Sequence, residues 1–284
     1  MKVSTPLRVH IQGAGKIGRT FARGLRSAGF VVSLRASRRG VPERIDADVV
    51  LLSVRDSQLS AEASAWVRVV PSRAIVLHTA GALTADVIAV LRGSCRGVGQ
   101  LHPLVSVASH RVPPSLVGAY ALVSGDAIAV RVARSIARAL GMKPRCGDKV
   151  DRCAYHAAAW LVAGGAAALC SAARDILSSA GIAPRQAERM LAPLLRSIAH
   201  NVEHLGMPDG LSGVVRRADL ATLCKHVAVL SDVAPEHLAL YLAAATAQID
   251  MARALGEAAE GEIDALREGI VSFERGFGKN RSGF

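Results

Sequence analysis

The feature that most constrains the fold is a glycine-rich turn close to the N-terminus. It consists of Gly13, Ala14, Gly15, Lys16, Ile17 and Gly18. The apolar run 7–12 precedes this G-x-G-x-x-G pattern, and a segment with helical periodicity follows it. In this context the first glycine permits a tight turn, the second lets the backbone approach a pyrophosphate, and the third allows helix–sheet packing. The turn therefore predicts a dinucleotide site on the helix N-terminus, with a purely structural strand–helix turn as the alternative.

Short apolar runs alternate with helical patterns throughout the first half of the chain. Predicted strands cover 7–12, 31–35, 49–54, 74–79, 97–101 and 119–123, and predicted helices cover 16–28, 58–69, 84–92 and 126–140. Beyond 143–151 only helical segments follow, at 152–180, 184–205, 219–230, 235–256 and 259–274. The pattern predicts an α/β chain, with a Rossmann-type parallel sheet in residues 1–148 and an all-α domain in residues 149–284.

The end of the second predicted strand bears on the choice of dinucleotide. NAD-binding folds usually place Asp or Glu there to bind the ribose hydroxyls. Here Ser37, Arg38 and Arg39 follow the strand, and no acidic residue occurs before Glu43. Arginines and a serine can bind a 2′-phosphate through charge-assisted hydrogen bonds, so we expect NADP(H). The alternative is a solvated turn.

The ends of the next strands supply further candidates, because open parallel sheets bind ligands at the carboxyl ends of their strands. Ser53 and Val54 end the third predicted strand, and we expect them to contact the cofactor. His78 ends the fourth, where it is a candidate cofactor contact, and His102 ends the fifth, where it is a candidate catalytic residue.

The charge distribution places any anionic ligand on the first half. The chain has a net charge of +12, and residues 1–150 carry 22 basic and 8 acidic side chains against 13 and 15 in residues 151–284. Nucleic-acid binding is not expected, because only 4% of the residues are aromatic and no recognised module is present.

The cysteines and one long uncharged stretch bear on compartment and metal content. Five cysteines form no C-x-x-C pair, which argues against zinc and disulfides and favours a reducing cytoplasm. The 21 residues 153–173 lack charge and are long enough to span a bilayer. Because they are mostly Ala and Gly, we expect a helix buried on all sides rather than a membrane span.

Several motifs occur in order along the chain. They are H-x-x-G-A-L at 78–83, L-H-P-L at 101–104, Y-H-A-A at 155–158, N-x-x-x-x-G at 201–206, and a degenerate T-G-P-x-x-R-G-D at 212–219. Together they resemble a bacterial Rossmann-like family with a helical C-terminal domain of unknown function. This family lies in the 6-phosphogluconate dehydrogenase-like superfamily, alongside ketopantoate reductase and pyrroline-5-carboxylate reductase. The resemblance implies a dinucleotide-dependent oxidoreductase acting on a small molecule.

The chain departs from this pattern at several positions. Val214 and Ala218 replace a Pro and a Gly of the last motif, and Ser212 replaces its Thr. Ala163 and Gly164 occupy the place of a Ser-Asn pair on the first helix of the C-terminal half. A non-catalytic NADP-binding sensor or accessory protein is therefore the alternative to an enzyme.

The proposed chemistry is reduction of a C=O or C=N bond in a small, anionic substrate. His156 or His102 is the candidate proton donor, since imidazole titrates near neutral pH, and Tyr155 lies beside His156. Arg217 could bind a substrate carboxylate and Asn201 a carbonyl oxygen. Asp219 suits either the site or a helix N-cap. A homodimer is expected through the helical domain, with Leu238, Leu242 and Ala245 as the candidate stripe.

Overall fold

The computed structural model describes the backbone of residues 7–281 and the side chains of residues 7–276. The chain divides after Ala163 into two compact units. The first unit contains a seven-stranded sheet in the order β2-β1-β3-β4-β5-β6-β7. Its strands are β1 (Arg8–Gln12), β2 (Val31–Arg35), β3 (Val49–Leu52), β4 (Ile75–His78), β5 (Gly97–Pro103), β6 (Tyr120–Gly125) and β7 (Lys143–Cys146).

Helices cover both faces of this sheet. They are α1 (Lys16–Ser27), α2 (Leu59–Trp66) and α3 (Ala127–Ala139), together with 3-10 turns at Ser37–Arg39, Asp56–Gln58 and Ala85–Gly93. One core lies between the sheet and α1 and α3, and the other lies on the α2 face around Trp66. Strands buried on both faces explain the continuous Val/Ile/Leu runs of the sequence. The predicted Rossmann-type α/β fold with a helical C-terminal region is confirmed.

The sheet differs from the predicted one at its far edge. β6 pairs antiparallel with β5, and β7 pairs parallel with β6. No helix forms between β5 and β6 to return the chain for parallel pairing. The sequence prediction missed β7, because its residues Lys-Pro-Arg-Cys carry charge and a proline, which suit an exposed edge strand. The predicted helix at 84–92 is a 3-10 segment kinked at Ile88.

The remaining helices are α4 (Arg152–Ser179), α5 (Pro184–Leu205), α6 (Leu220–Val233), α7 (Leu238–Leu255) and α8 (Glu260–Arg281). Only α4 spans the division between the two units. In the second unit, α6, α7 and α8 enclose a core that includes Leu223, Ile249 and Leu266. Leu238, Leu242 and Ala245 also lie in this core. The prediction that these three residues form a dimer interface is therefore wrong, since the chain buries them itself.

The expected burial of the uncharged stretch is also wrong. Helix α4 is long and apolar enough to cross a membrane by length and composition, and its apolar window is not buried. Trp160, Leu161 and Val162 are each about two-thirds exposed or more, at 65%, 66% and 73%. The absence of charged residues does not show what packs against a segment. Here the described part of the chain does not bury this segment.

The core assignment of α7 gives a direct test. Leu242 is 1% exposed and Leu240, on the same helix, is 38% exposed. We expect Leu242→Ala to lower the free energy of unfolding by about 3 kcal/mol, because the truncation leaves a cavity in a packed core. Leu240→Ala should cost less than about 1 kcal/mol. Urea unfolding of both variants checks this, and equal losses would contradict the assignment.

Candidate dinucleotide site and histidine cluster

The turn after β1 is shaped by two close backbone contacts. Gly13 has a positive φ of 113°, and a Cβ there would lie 2.2 Å from the carbonyl oxygen of Ser53. A Cβ on Gly18 would lie 1.9 Å from the carbonyl oxygen of Gly13. No side chain fits at either position. The predicted residues Ser53 and Val54 therefore lie directly against the glycine turn.

Gly15 differs from these two glycines, because nothing lies within 4 Å of the position its Cβ would take. Gly15 caps the N-terminus of α1, and neither a side-chain cap nor an acidic residue occupies the first turn of this helix. The first backbone N–H groups of a helix lack helical acceptors and carry partial positive charge. Open space beside uncapped donors fits an anionic pyrophosphate. Lys16 is exposed, and Ala14 and Ile17 are half-buried.

The turn after β2 is held by an arginine that sequence reasoning did not assign. Arg35 donates from Nε to the carbonyl of Gly40 at 2.8 Å and from Nη2 to the carbonyl of Arg39 at 2.7 Å. Ser37, Arg38 and Arg39 form the 3-10 turn that these bonds fix, and both of its arginines are exposed. The sequence indicated this role only by the presence of Arg35 at the end of the second predicted strand.

A cavity of about 430 Å³ lies beside this turn. Arg35, Arg39 and Arg44 contribute to its lining together with His10 and Ser33. Asp46 also lines the cavity, so three arginines and one carboxylate give the lining a net positive charge, which suits an anionic group better than a neutral one. Burial lowers the pKa of His10, so this histidine adds no charge near neutral pH.

Three predicted catalytic residues meet in the first unit. The rings of His102 and Tyr155 pack edge to face, with centroids 5.7 Å apart. A Cβ on Gly81 would lie 2.9 Å from His102 Nε2 and 3.0 Å from His156 Cδ2, so both imidazoles border the space that a side chain at this position would need. We call His102, Tyr155 and His156 the histidine cluster. These residues lie together in the structure, although sequence separates His102 from the other two by about fifty positions.

The tautomer of His102 follows from its hydrogen bond. Its Nδ1 lies 2.9 Å from the carbonyl oxygen of Thr79, so Nδ1–H donates and Nε2 keeps its lone pair. Desolvation lowers the pKa of His102, and the neighbouring His156 and Arg152 lower it further. Burial raises the pKa of the Tyr155 hydroxyl, which the charge of Arg152 partly offsets. His102 is therefore neutral near pH 7, and His156 is exposed to solvent.

His78 does not lie where the sequence analysis expected. It is 0% exposed, and its Nε2–H donates to the carbonyl of Thr84 at 3.0 Å. Desolvation is the main cause that lowers its pKa to about 4. The imidazole therefore belongs to the interior of the first unit, and its side chain is not presented to a ligand at the sheet edge.

The other predicted catalytic residues belong to the second unit. Asp219 is the N-cap of α6, where its carboxylate accepts from Thr222 N at 2.9 Å and from Thr222 Oγ1 at 2.7 Å. These hydrogen bonds lower the pKa of Asp219. Its capping role is thus present in the structure. Arg217 is exposed, and Asn201 lies in the last turns of α5.

Arg216, which sequence analysis did not single out, organises the loop before α6. Its guanidinium donates to the Asp209 carbonyl at 2.9 Å, to the Leu211 carbonyl at 2.5 Å and to Glu257 at 2.8 Å. Nearby, a cavity of about 250 Å³ is lined by His226, Tyr241 and Gln248 among others, and His226 Nδ1 lies 2.8 Å from the Tyr241 hydroxyl. Within the described side chains, no three His, Cys, Asp or Glu residues group as metal ligands do.

The fold is shared with several solved structures, two of which are described with NADP. A candidate NADP oxidoreductase from Bacteroides fragilis superposes with a TM-score of 0.70 at 18% identity, covering 86% of this chain and 98% of that one. Pyrroline carboxylate reductase from Plasmodium falciparum, solved with NADP bound, has a TM-score of 0.57 at 11% identity, covering 80% and 94%. An imine reductase from Pseudomonas sp. has a TM-score of 0.56 at 18% identity, covering 94% and 100%.

The family comparison concerns the later part of the chain. Residues 119–248, from the strand before α3 to the middle of α7, match the family described as Domain of unknown function (DUF2520). A comparison with curated proteins gives no match. Residues 119–248 are therefore similar to the DUF2520 domain, and the chain has a Rossmann-like fold. This confirms the resemblance drawn from its motifs.

The three glycines of the turn separate folding from ligand binding. Gly13→Ala and Gly18→Ala should destabilise the protein, because a Cβ at either position overlaps a backbone carbonyl. Gly15→Ala should leave the melting temperature nearly unchanged, since its Cβ meets open space, and should abolish NADPH binding. Thermal unfolding and NADPH fluorescence titration check both. If Gly15→Ala bound NADPH as the wild type does, the turn would not hold the pyrophosphate.

The buried His78 makes stability depend on pH. Between its ordinary value of 6.5 and its folded pKa of about 4, the unfolded chain binds more protons than the folded one. The free energy of unfolding therefore falls as pH falls through this window, by up to about 1.4 kcal/mol per pH unit for this group. His78→Gln should flatten the slope measured by urea unfolding between pH 6.5 and 4.5. The exposed His110→Gln is the control, and equal slopes in all three proteins would contradict the prediction.

Proposed function

We propose that this protein is an NADP(H)-dependent oxidoreductase that reduces a C=O or C=N bond of a small, anionic substrate. The observation that carries the proposal is the open position at Gly15 on the uncapped N-terminus of α1. Support comes from the shared fold, because the compared proteins include a pyrroline carboxylate reductase with NADP bound and an imine reductase. We further propose that residues 1–148 bind the dinucleotide and residues 149–284 serve substrate binding and dimerisation.

The preference for NADP(H) rests on the turn that Arg35 fixes. No acidic residue follows Ser37, Arg38 and Arg39 in the sequence before Glu43, and both arginines are exposed. A carboxylate that binds ribose hydroxyls in NAD-specific folds has no counterpart here. The turn would hold the phosphate, and the backbone at residues 13–18 would hold the pyrophosphate.

The histidine cluster would supply the proton for the reduction. NADPH supplies the hydride when it is bound. His102 is neutral near pH 7 with its only N–H committed to Thr79, so it is better suited to accept a hydrogen bond at Nε2 than to donate a proton. His156 is exposed and adjoins the same Gly81 backbone, which favours it as the donor. Tyr155 would orient the ring of His102 through their edge-to-face contact.

In the second unit, the exposed Arg217 forms no hydrogen bond or ion pair with the described side chains. Its guanidinium is therefore available to a substrate carboxylate, as the sequence analysis proposed. Asn201 remains the proposed partner of a carbonyl oxygen. Asp219 is better explained by its N-cap than by a direct catalytic role.

NADPH should bind more tightly than NADH, and Arg38→Gln with Arg39→Gln should remove the difference. Losing a charge-assisted bond to phosphate should weaken NADPH binding by roughly tenfold or more and leave NADH binding unchanged. Fluorescence titration of the double variant measures this, with the exposed Arg131→Gln on α3 as the control. Equal or tighter NADH binding by the wild type would refute the assignment.

Turnover separates an enzyme from a non-catalytic NADP-binding sensor or accessory protein. The sensor is favoured by Ala163 and Gly164, which lack the polar groups expected on the first helix of the C-terminal half. NADPH consumption would be measured with 2-oxo acids, 3-oxo acids and cyclic imines. His156→Ala should lower kcat with little change in NADPH affinity. Tight NADPH binding with no turnover across this panel would favour the sensor.

We also propose a homodimer, in which the second copy covers the apolar faces of α4 and α5. On α5 the exposed residues recur every three or four positions, at Met190, Leu194, Ile198, Val202 and Leu205. An exposed apolar stripe of this kind is stabilised when it is buried, and helix-on-helix packing against a symmetric partner would bury it. The small residues of α4 allow close packing against another helix. A bilayer is the alternative cover for α4.

Sedimentation in detergent-free buffer tests this arrangement. The wild type should sediment as a dimer, and Leu194→Glu with Ile198→Glu should give monomers, because two buried carboxylates would face apolar surface. Val112→Glu, at an exposed position outside these helices, is the control. A monodisperse wild-type monomer would contradict the dimer, and solubility only in detergent would favour the bilayer.

A further inference from the structure

A chain of buried hydrogen bonds runs beneath the histidine cluster. Arg152, the first residue of α4, donates from Nη2 to Ser124 Oγ at 2.8 Å. The Ser124 hydroxyl donates to Gln100 Oε1 at 3.1 Å. Gln100 Nε2 then donates to the carbonyls of Ala80 at 2.6 Å and Leu83 at 3.0 Å. The start of α4 is thereby linked across β6 and β5 to the loop that follows β4.

This loop, residues 79–84, is held through its backbone carbonyls. His102 binds the carbonyl of Thr79, Gln100 binds those of Ala80 and Leu83, and His78 binds that of Thr84. Gly81 lies inside the loop, and the rings of His102 and His156 border the space that a side chain at Gly81 would need. The loop therefore holds the His102 ring directly through Thr79 and leaves room for both imidazoles at Gly81.

A buried Arg152 destabilises the folded state more than a purely structural link would require. It is 8% exposed, and its Nε and Nη1 are buried without a hydrogen-bond partner among the described residues. None of the ion pairs among the described side chains includes Arg152, whose guanidinium donates to Ser124 instead. Burying an unpaired charge disfavours folding, and apolar residues of similar size often replace such groups without loss of stability. A destabilising buried charge beside candidate catalytic groups is more typical of a functional role.

The position of Arg152 on its helix points to that role. Tyr155 and His156 lie three and four residues after it, which is the spacing of neighbours on one helical face. Fixing the guanidinium on Ser124 thus fixes the first turn of α4 and the two side chains that follow. His102 contacts this turn through the ring of Tyr155.

We propose that Arg152 is a positioning residue, which holds the first turn of α4 against the loop after β4 so that His102, Tyr155 and His156 share one site. The inference rests on the proposed function, because the value of this arrangement lies in the reduction that the cluster would support.

The buried charge has a second consequence for the cluster. The groups whose charges act on His102 are His156, Asp56 and Arg152, and Tyr155 packs on its ring. Burial is the main cause of the lowered pKa of His102, and the guanidinium lowers it further. Arg152 therefore helps to keep His102 neutral, with its Nε2 lone pair available.

The experiment compares Arg152→Met, Arg152→Lys and Ser124→Ala with the wild type, and uses Arg138→Gln, an exposed arginine on α3, as the control. The readouts are the pH midpoint of the His102 ring signals and the nuclear Overhauser contact between the His102 and Tyr155 rings. Both are measured by NMR on the full chain without cofactor.

In Arg152→Met the His102 midpoint should rise and the contact with the Tyr155 ring should weaken. Arg152→Lys should keep the midpoint near that of the wild type, because it keeps the charge. Ser124→Ala should weaken the ring contact while the charge remains, which tests positioning separately should Arg152→Met fail to fold. Arg138→Gln should match the wild type in both readouts. The proposal is overturned if the ring contact survives in Ser124→Ala, or if both readouts are unchanged in a folded Arg152→Met.

A parallel NADPH titration separates this inference from the proposed function. If the wild type binds no NADPH while the NMR readouts change as expected, the reductase proposal fails and the positioning role stands. If NADPH binds and the readouts do not change, the positioning role fails alone.

Discussion

The close crossing of two backbone segments behind β1 is the constraint on which the site depends. The carbonyl of Ser53 occupies the space that a Gly13 side chain would need, and the Gly13 carbonyl occupies the space at Gly18. These contacts bring the end of β3 against the turn and set the start of α1 directly after it. Because α1 begins without a side-chain cap, its first N–H groups stay available beside the open position of Gly15. Tight packing at two glycines thus creates the exposed donors at the third.

A second, polar constraint acts on the other part of the first unit. Strands satisfy their backbone hydrogen bonds by pairing with one another. The backbone carbonyls of the loop after β4 have no such partners and require other donors once they are buried. His78, Gln100 and His102 provide these donors, and Arg152 joins them to α4 through Ser124. The bond that satisfies the Thr79 carbonyl also selects the tautomer of His102 and leaves its Nε2 as an acceptor.

Sequence reasoning performed best where local pattern decides structure. Continuous apolar runs correctly predicted the positions of β1 to β6, and the glycine spacing correctly predicted the turn. Both patterns depend only on residues within the segment itself. Sequence reasoning failed where a long-range partner decides. The charged edge strand β7 has no apolar pattern by which it could be predicted. The apolar stripe of Leu238, Leu242 and Ala245 would have the same sequence whether α8 or a second chain packed against it. The sequence of the uncharged stretch in α4 likewise does not show what packs against it.

The candidate site shows the same division. His102, Tyr155 and His156 could be selected from motifs, but their contact depends on the sheet that brings them together. Arg35 and Arg152 were missed because sequence gives no sign that an arginine will be fixed on backbone carbonyls or buried on a serine. His78 was assigned to the ligand-facing edge because it ends a strand, whereas the register of β4 turns its side chain into the protein.

A crystal structure of the protein with NADP⁺ bound tests the central claim most directly. The account predicts the pyrophosphate against the backbone of Gly15, the 2′-phosphate at Ser37, Arg38 and Arg39, and the nicotinamide ring on the side of His102 and His156. A pyrophosphate bound elsewhere, or crystals that hold no dinucleotide at saturating concentration with this turn accessible, would contradict it.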